Sequence, residues 1–168
     1  ARLFNRGTYL IRQYATATKR MEQDMELTEN QKEAYDLIRE ITLGTKYFPK
    51  QKWLSYGQLD FILKTSGDPA YRGLPAQANQ QILKCILRNF KAFFEAVKAY
   101  RDRPESFTGR PKMPGYKKKG GMATAILTNQ ICTFKEEKYL KFPGTRDLLN
   151  VKKHGLEGRL KEIRIKPH

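Results

Sequence analysis

The sequence predicts an α+β chain, with a helical lobe over residues 1–104 and a basic extended linker leading into a small β-barrel-like lobe over 105–168. Apolar residues recur at three- and four-residue spacing as far as Tyr100, the pattern of amphipathic helices. Pro104, Pro111 and Pro114, with Gly109 and Gly115, then break that rhythm. Beyond Gly121 the chain turns to short runs rich in β-branched and aromatic residues. At 39% hydrophobic and 11% aromatic over 168 residues, it carries enough apolar surface for a packed interior, which excludes a disordered basic tail as the whole chain.

Leu3, Phe4, Gly7, Leu10, Ile11 and Tyr14 predict a helix over residues 3 to about 20, with Arg2, Arg6, Arg12, Lys19 and Arg20 on or beside its polar side. Thr28 and Gln31 have capping-box spacing and open a second helix through Ala34, Tyr35, Leu37, Ile38 and Ile41, with Gly44 as its stop. Ser55 and Gln58 repeat the device ahead of Leu59, Ile62 and Leu63. Pro75 suits the first turn of a long helix that runs to about Asp102. Its stripe of Ile82, Ile86, Phe90, Phe93, Val97 and Tyr100 is expected to be core along roughly 40 Å. Cys85 falls within this pattern and reads as a buried thiol. From Pro104 the Pro- and Gly-rich segment favours an extended path into Tyr116, Lys117, Lys118 and Lys119. Strands are expected over 124–127, 131–134, 139–142, 148–151 and 160–165, with Glu136 and Glu137 as a hairpin turn. The chain opens at Ala1 in helix-like sequence and stops at His168 just after strand-like sequence, so a fragment is expected.

Charge narrows the class of partner. Lys and Arg number 33 against 17 Asp and Glu, a net +16 that favours a polyanion. The surplus is uneven: residues 1–100 carry a net +6 and residues 101–168 a net +10. Glu22, Asp24, Glu26, Glu29, Glu33, Asp36 and Glu40 make the second helical stretch locally acidic and a poor match for phosphate. No apolar run approaches the roughly 18 residues of a membrane span, and no signal-peptide pattern precedes the first helix, so a cytoplasmic protein is expected. A membrane-surface role is disfavoured because the basic cluster sits among Pro and Gly rather than on an amphipathic helix.

No acid, base or nucleophile set of a self-standing enzyme is readable, and no Gly-rich loop has the Walker spacing. Asp147, Glu157 and Glu162 are the only carboxylates after the hairpin, too few for two-metal chemistry. Two cysteines, Cys85 and Cys132, with His154 and His168 cannot build a usual structural zinc site without carboxylates, so no cofactor is expected in this chain. Binding is the better-supported chemistry. Arg110, Lys112, Lys117, Lys118 and Lys119 are interleaved with Pro111, Pro114 and Tyr116, which displays cations and one ring on a stiff strip able to track a phosphate backbone. A second cluster joins Lys46, Lys50 and Lys52 to Trp53 and Tyr56, where Trp53 could equally plug the core.

These residues resemble the accessory transposase family of bacterial insertion sequences (TnpB, also OrfB), RNA-guided DNA nucleases related to the type V CRISPR effectors. The resemblance rests on Trp53-Leu54-Ser55-Tyr56 and on Leu74-Pro75-Ala76-Gln77, which opens the helix carrying Phe90-Lys91-Ala92-Phe93-Phe94. It continues in order through Pro104-Glu105 and Phe107, Gly109-Arg110-Pro111-Lys112, Pro114 and Tyr116-Lys117, then Thr128-Asn129-Gln130 and Leu140-Lys141-Phe142-Pro143. It covers residues 53–143, with a looser fit before them.

The resemblance implies a recognition lobe and a β-barrel wedge lobe that together hold guide RNA, its duplex with target DNA, and a short double-stranded flanking DNA motif. It puts Tyr56, Gln80, Thr128 and Asn129 toward that flanking DNA, where Gln and Asn suit base edges and Tyr and Thr suit phosphate or a thymine methyl. Ala76 stands where some relatives place a Lys, which implies a different or looser reading of the motif. It also implies a bacterial or archaeal source and a later nuclease domain, holding Mg and Zn, that this chain lacks. The alternative is a self-contained DNA- or RNA-binding module, transcription-factor-like or ribosome-associated. A basic face for an acidic protein partner is a third reading.

Overall fold

The computed structural model describes residues 1–122, 124–135, 138–142, 146, 148–151 and 161–166. Its helices are α1 (Arg2–Met21), α2 (Glu29–Thr42), α3 (Tyr56–Thr65), a single turn α4 (Pro69–Arg72) and α5 (Ala76–Asp102). A 3-10 turn, Pro104–Ser106, follows α5, and the strands are β1 (Ala125–Thr128), β2 (Thr133–Lys135), β3 (Tyr139–Lys141), β4 (Leu148–Asn150) and β5 (Glu162–Ile165). Helices followed by strands make this an α+β chain.

The two capping boxes form as their spacing dictates. Thr28 Oγ1 accepts the Gln31 N–H at 3.4 Å while Gln31 Oε1 accepts the Thr28 N–H at 2.9 Å. Ser55 and Gln58 do the same at 3.4 and 2.7 Å. Past α2, Gly44 takes a left-handed φ of +72°, which lets the chain leave the helix without a Cβ clash. Asp68 caps α4 through the Ala70 N–H at 2.9 Å, with Pro69 next in line. The same carboxylate holds Arg6 Nε at 2.9 Å, so α4 is tied to α1. Pro75 stands just outside α5 as its N-cap, one place earlier than the first-turn position its sequence suggests.

Leu10 and Ile11 of α1, Ile38 of α2, Leu59, Ile62 and Leu63 of α3, and Leu83 and Ile86 of α5 meet in one core. Gly7 brings α1 onto α5: a Cβ there would stand 2.7 Å from Ile86 Cδ1. Of the apolar stripe of α5, Ile86 and Phe90 are buried and Ile82 is half-buried, with Leu83 beside it filling the core. Phe93, Phe94, Val97 and Tyr100 are half-buried, because α5 outruns the three helices packed beside it and its last turns find aromatic neighbours instead. Cys85, expected in the core, lies half-buried on the flank of that stripe. Trp53 packs edge-on against Phe94 with ring centroids 4.1 Å apart.

The strands do not form the expected barrel. β1 pairs antiparallel with β5, from Ala125 opposite Ile165 to Thr128 opposite Glu162. β2, β3 and β4 form a separate antiparallel meander whose backbone register sets Leu140 opposite both position 134 and Leu149. Barrel closure needs one continuous staggered sheet, and among the described residues strands of three or four residues in two separate sheets do not supply it. The hairpin turn assigned to Glu136 and Glu137 lies outside the described residues, although the strands flanking it pair as a hairpin would. Leu127, Cys132 and Leu140 make a second, smaller core that Ala78 of α5 completes, so α5 carries both lobes. Burial pushes the Cys132 thiol pKa up, as suits a packed, inert cysteine.

Candidate nucleic-acid interface

The basic strip is pinned along α1. Asn5 takes both backbone polar groups of Lys117, donating Nδ2–H to its carbonyl at 2.9 Å and accepting its N–H at 2.7 Å through Oδ1. One side chain thereby imitates a strand partner. Seven residues on, Arg12 donates Nη1–H to the Pro114 carbonyl at 3.1 Å, and its guanidinium lies 5.2 Å over the Tyr116 ring. Met113 packs on the helical core, and the Lys117 ammonium sits 4.8 Å over the Phe4 ring. Because Pro114 meets Arg12 and Lys117 meets Asn5, the strip runs antiparallel to α1.

That docking divides the predicted residues. Tyr116 and Lys117 are engaged by α1, although Tyr116 keeps 49% of its surface exposed. Arg110, Lys112, Lys118 and Lys119 are exposed, and none has a carboxylate partner among the described residues. A fixed backbone carrying outward cations presents its charge without first having to order the chain. Lys52 behaves differently, with its ammonium 2.6 Å from Glu22 Oε2.

The other group gathers where α5 meets β1. The Thr128 hydroxyl donates to Gln77 Oε1, and Gln77 Nε2–H donates to Gln130 Oε1. Asn129 keeps an exposed side chain while its N–H donates to the Lys161 carbonyl at 3.2 Å. Gln80, also exposed, follows Gln77 by one helical turn. Lys84 follows Gln80 by another, and its ammonium lies 6.0 Å from the centre of the Tyr56 ring. Tyr56, Gln80, Thr128 and Asn129 therefore flank one face of α5. Burial first, then the Asp60 carboxylate, raises the Tyr56 pKa, which keeps the phenol a neutral donor.

Sequence reasoning missed Asn5, Gln77, Lys84 and Arg88. Gln77, Gln80, Lys84, Arg88 and Lys91 recur at helical spacing, so the exposed polar face of α5 was readable from the sequence. The Asn5 clamp spans 112 residues and left no local signal. Among the described residues, no cluster of three or more His, Cys, Asp or Glu could hold a metal ion, and no helix is long and apolar enough to cross a membrane.

Replacing Asn5 with Ala removes two hydrogen bonds that fix Lys117. We expect trypsin to cut after Lys117, Lys118 or Lys119 at least several-fold faster in that variant, with helical content by circular dichroism unchanged. Equal cleavage rates would show that the strip is held by its other contacts alone. Compared with protein-family models, with curated proteins and with solved structures, the chain finds no match.

Proposed function

We propose that this chain is a nucleic-acid-binding part of an RNA-guided DNA endonuclease, holding guide RNA, its heteroduplex with target DNA and a short flanking DNA motif. The observation that carries the reading is the strip clamped to α1 with Arg110, Lys112, Lys118 and Lys119 turned outward. In this reading the strip neutralises phosphates, and Gln80 and Asn129, beside Tyr56 and Thr128, meet base edges of the flanking duplex. Lys84 and Arg88 add phosphate contacts along α5. Cleavage belongs to a nuclease domain elsewhere in the parent protein.

Filter binding with structured RNA and with duplex DNA tests the proposal. If about six phosphates are neutralised, affinity falls by about a thousandfold between 50 and 200 mM salt. Retention that ignores salt, or no retention at low salt, would sink it. The second reading, a self-contained DNA- or RNA-binding module, draws on the helical lobe enclosing its own core independently of the strands. Specific RNA binding by residues 1–122 alone, at full strength, would favour it.

A further inference from the structure

A second concentration of rings and cations lies away from the strip. Between α1, α2 and the segment ahead of α3 there is an open hollow of about 550 Å³, lined by Tyr14, Tyr35, Arg39, Lys50, Lys52 and Trp53 among others. Small-ligand sites run from roughly 300 to 1,000 Å³. One side of the hollow is aromatic. Tyr14 and Tyr35 stack with ring centroids 5.5 Å apart, and Trp53 is braced from behind by Phe94. The same wall carries a cation. The Arg39 guanidinium lies 4.2 Å over the Phe48 ring and 5.6 Å from the Tyr35 centroid, with no carboxylate partner among the described residues.

A guanidinium seated over a ring, with one N–H given to Tyr14, still keeps further edge N–H groups, and its planar fork of donors matches a phosphate. Lys50 is exposed at the same rim. Lys52 is held only by Glu22, through an exposed ion pair of the weakly bound kind that a phosphate can displace. An aromatic cluster serving only to pack would close on itself. Here Tyr35 and Trp53 stay half-buried and border the opening. Base on ring and phosphate on cation is the arrangement by which proteins hold single-stranded nucleic acid.

We infer that this hollow seats one unpaired nucleotide, its base against Trp53 and Tyr35 and its phosphate on Arg39, with Lys50 and Lys52 closing over it. The choice of a nucleotide as occupant rests on the nucleic-acid reading above, whereas the site itself rests on the geometry of this hollow.

Trp53 is the only tryptophan, so its emission reports on this hollow alone. The full chain is titrated with adenosine 5′-monophosphate, with adenosine and with inorganic phosphate. The nucleotide is expected to change the emission saturably with a dissociation constant near or below about 1 mM. Adenosine and phosphate should each bind at least tenfold more weakly. R39Q should weaken the nucleotide at least tenfold, and Lys64→Ala, at an exposed cation of α3 outside the hollow, should leave it unchanged. Because Arg39 also packs on Phe48, K50Q serves as a second variant at an exposed position and should weaken binding severalfold with circular dichroism unchanged. Adenosine binding as tightly as the nucleotide, phosphate binding as tightly as the nucleotide, or indifference to both substitutions overturns the inference. A normal Trp53 response in a chain that fails to retain RNA would preserve the site and remove the function proposed above; RNA retention with no Trp53 response would do the reverse.

Discussion

Replacing Arg110, Lys112, Lys118 and Lys119 together with Gln is expected to weaken RNA binding about a thousandfold at about 100 mM salt. Each phosphate contact releases close to one counterion, so four lost contacts should lower the slope of log affinity against log salt by roughly 3 to 4. Extrapolated from molar salt, where that contribution vanishes, down to about 100 mM, a slope change of this size spans three decades or more. The four side chains are exposed and make no ion pairs among the described residues, so the folded lobe should be unaffected. Filter binding at four or five salt concentrations measures both quantities. A loss below tenfold with an unchanged slope would mean that the phosphates lie elsewhere, with the α5 cations as the next candidates.

The largest effect on stability is expected from Ile86→Ala. Ile86 is 0% exposed and fills the crossing of α1, α3 and α5, where its Cδ1 meets the Gly7 backbone beside Leu59. Removing three carbons from such a site costs about 2–5 kcal/mol, through lost burial and the cavity left behind. A domain of this size has only about 5–15 kcal/mol in total, so the variant should unfold at a much lower urea concentration. Leu87→Ala, one residue along and half-buried, should cost clearly less. Equal midpoints for the two would mean that the core is not centred on this crossing.

How far the fold could be read from sequence followed the range of the interactions involved. The capping boxes at Thr28 and Ser55 are made within four residues, and the helices they open begin where the spacing put them. All five strand runs correspond to strands, with ends that coincide or differ by at most two residues. The single turn α4 escaped notice although Asp68-Pro69 is a cap followed by a first-turn proline, a readable signal in a short segment. Pairing was not legible. That β5 joins β1 across the whole β lobe, leaving β2–β4 as their own sheet, depends on contacts with no local cue, and the barrel expectation failed there.

The candidate interface divides the same way. Exposed cations on the strip were visible because prolines and glycines announce an extended segment. Which cations point outward was decided by Asn5 and Arg12, more than a hundred residues earlier. Lys52 looked like its neighbours in sequence and is set apart by Glu22, 30 positions away.

The Asn5 clamp also fixes an order in time. Its two ends are 112 residues apart, and a ribosome adding about 5–20 residues per second takes on the order of 10 s to supply the second after the first. Through that interval α1 can associate with α2 and α3, whose sequences follow closely, but the basic strip is not yet there for Asn5 to hold. A nascent chain therefore gathers its first helices before the strip can dock, so this cation-rich edge is the last part of the helical lobe to be fixed in place.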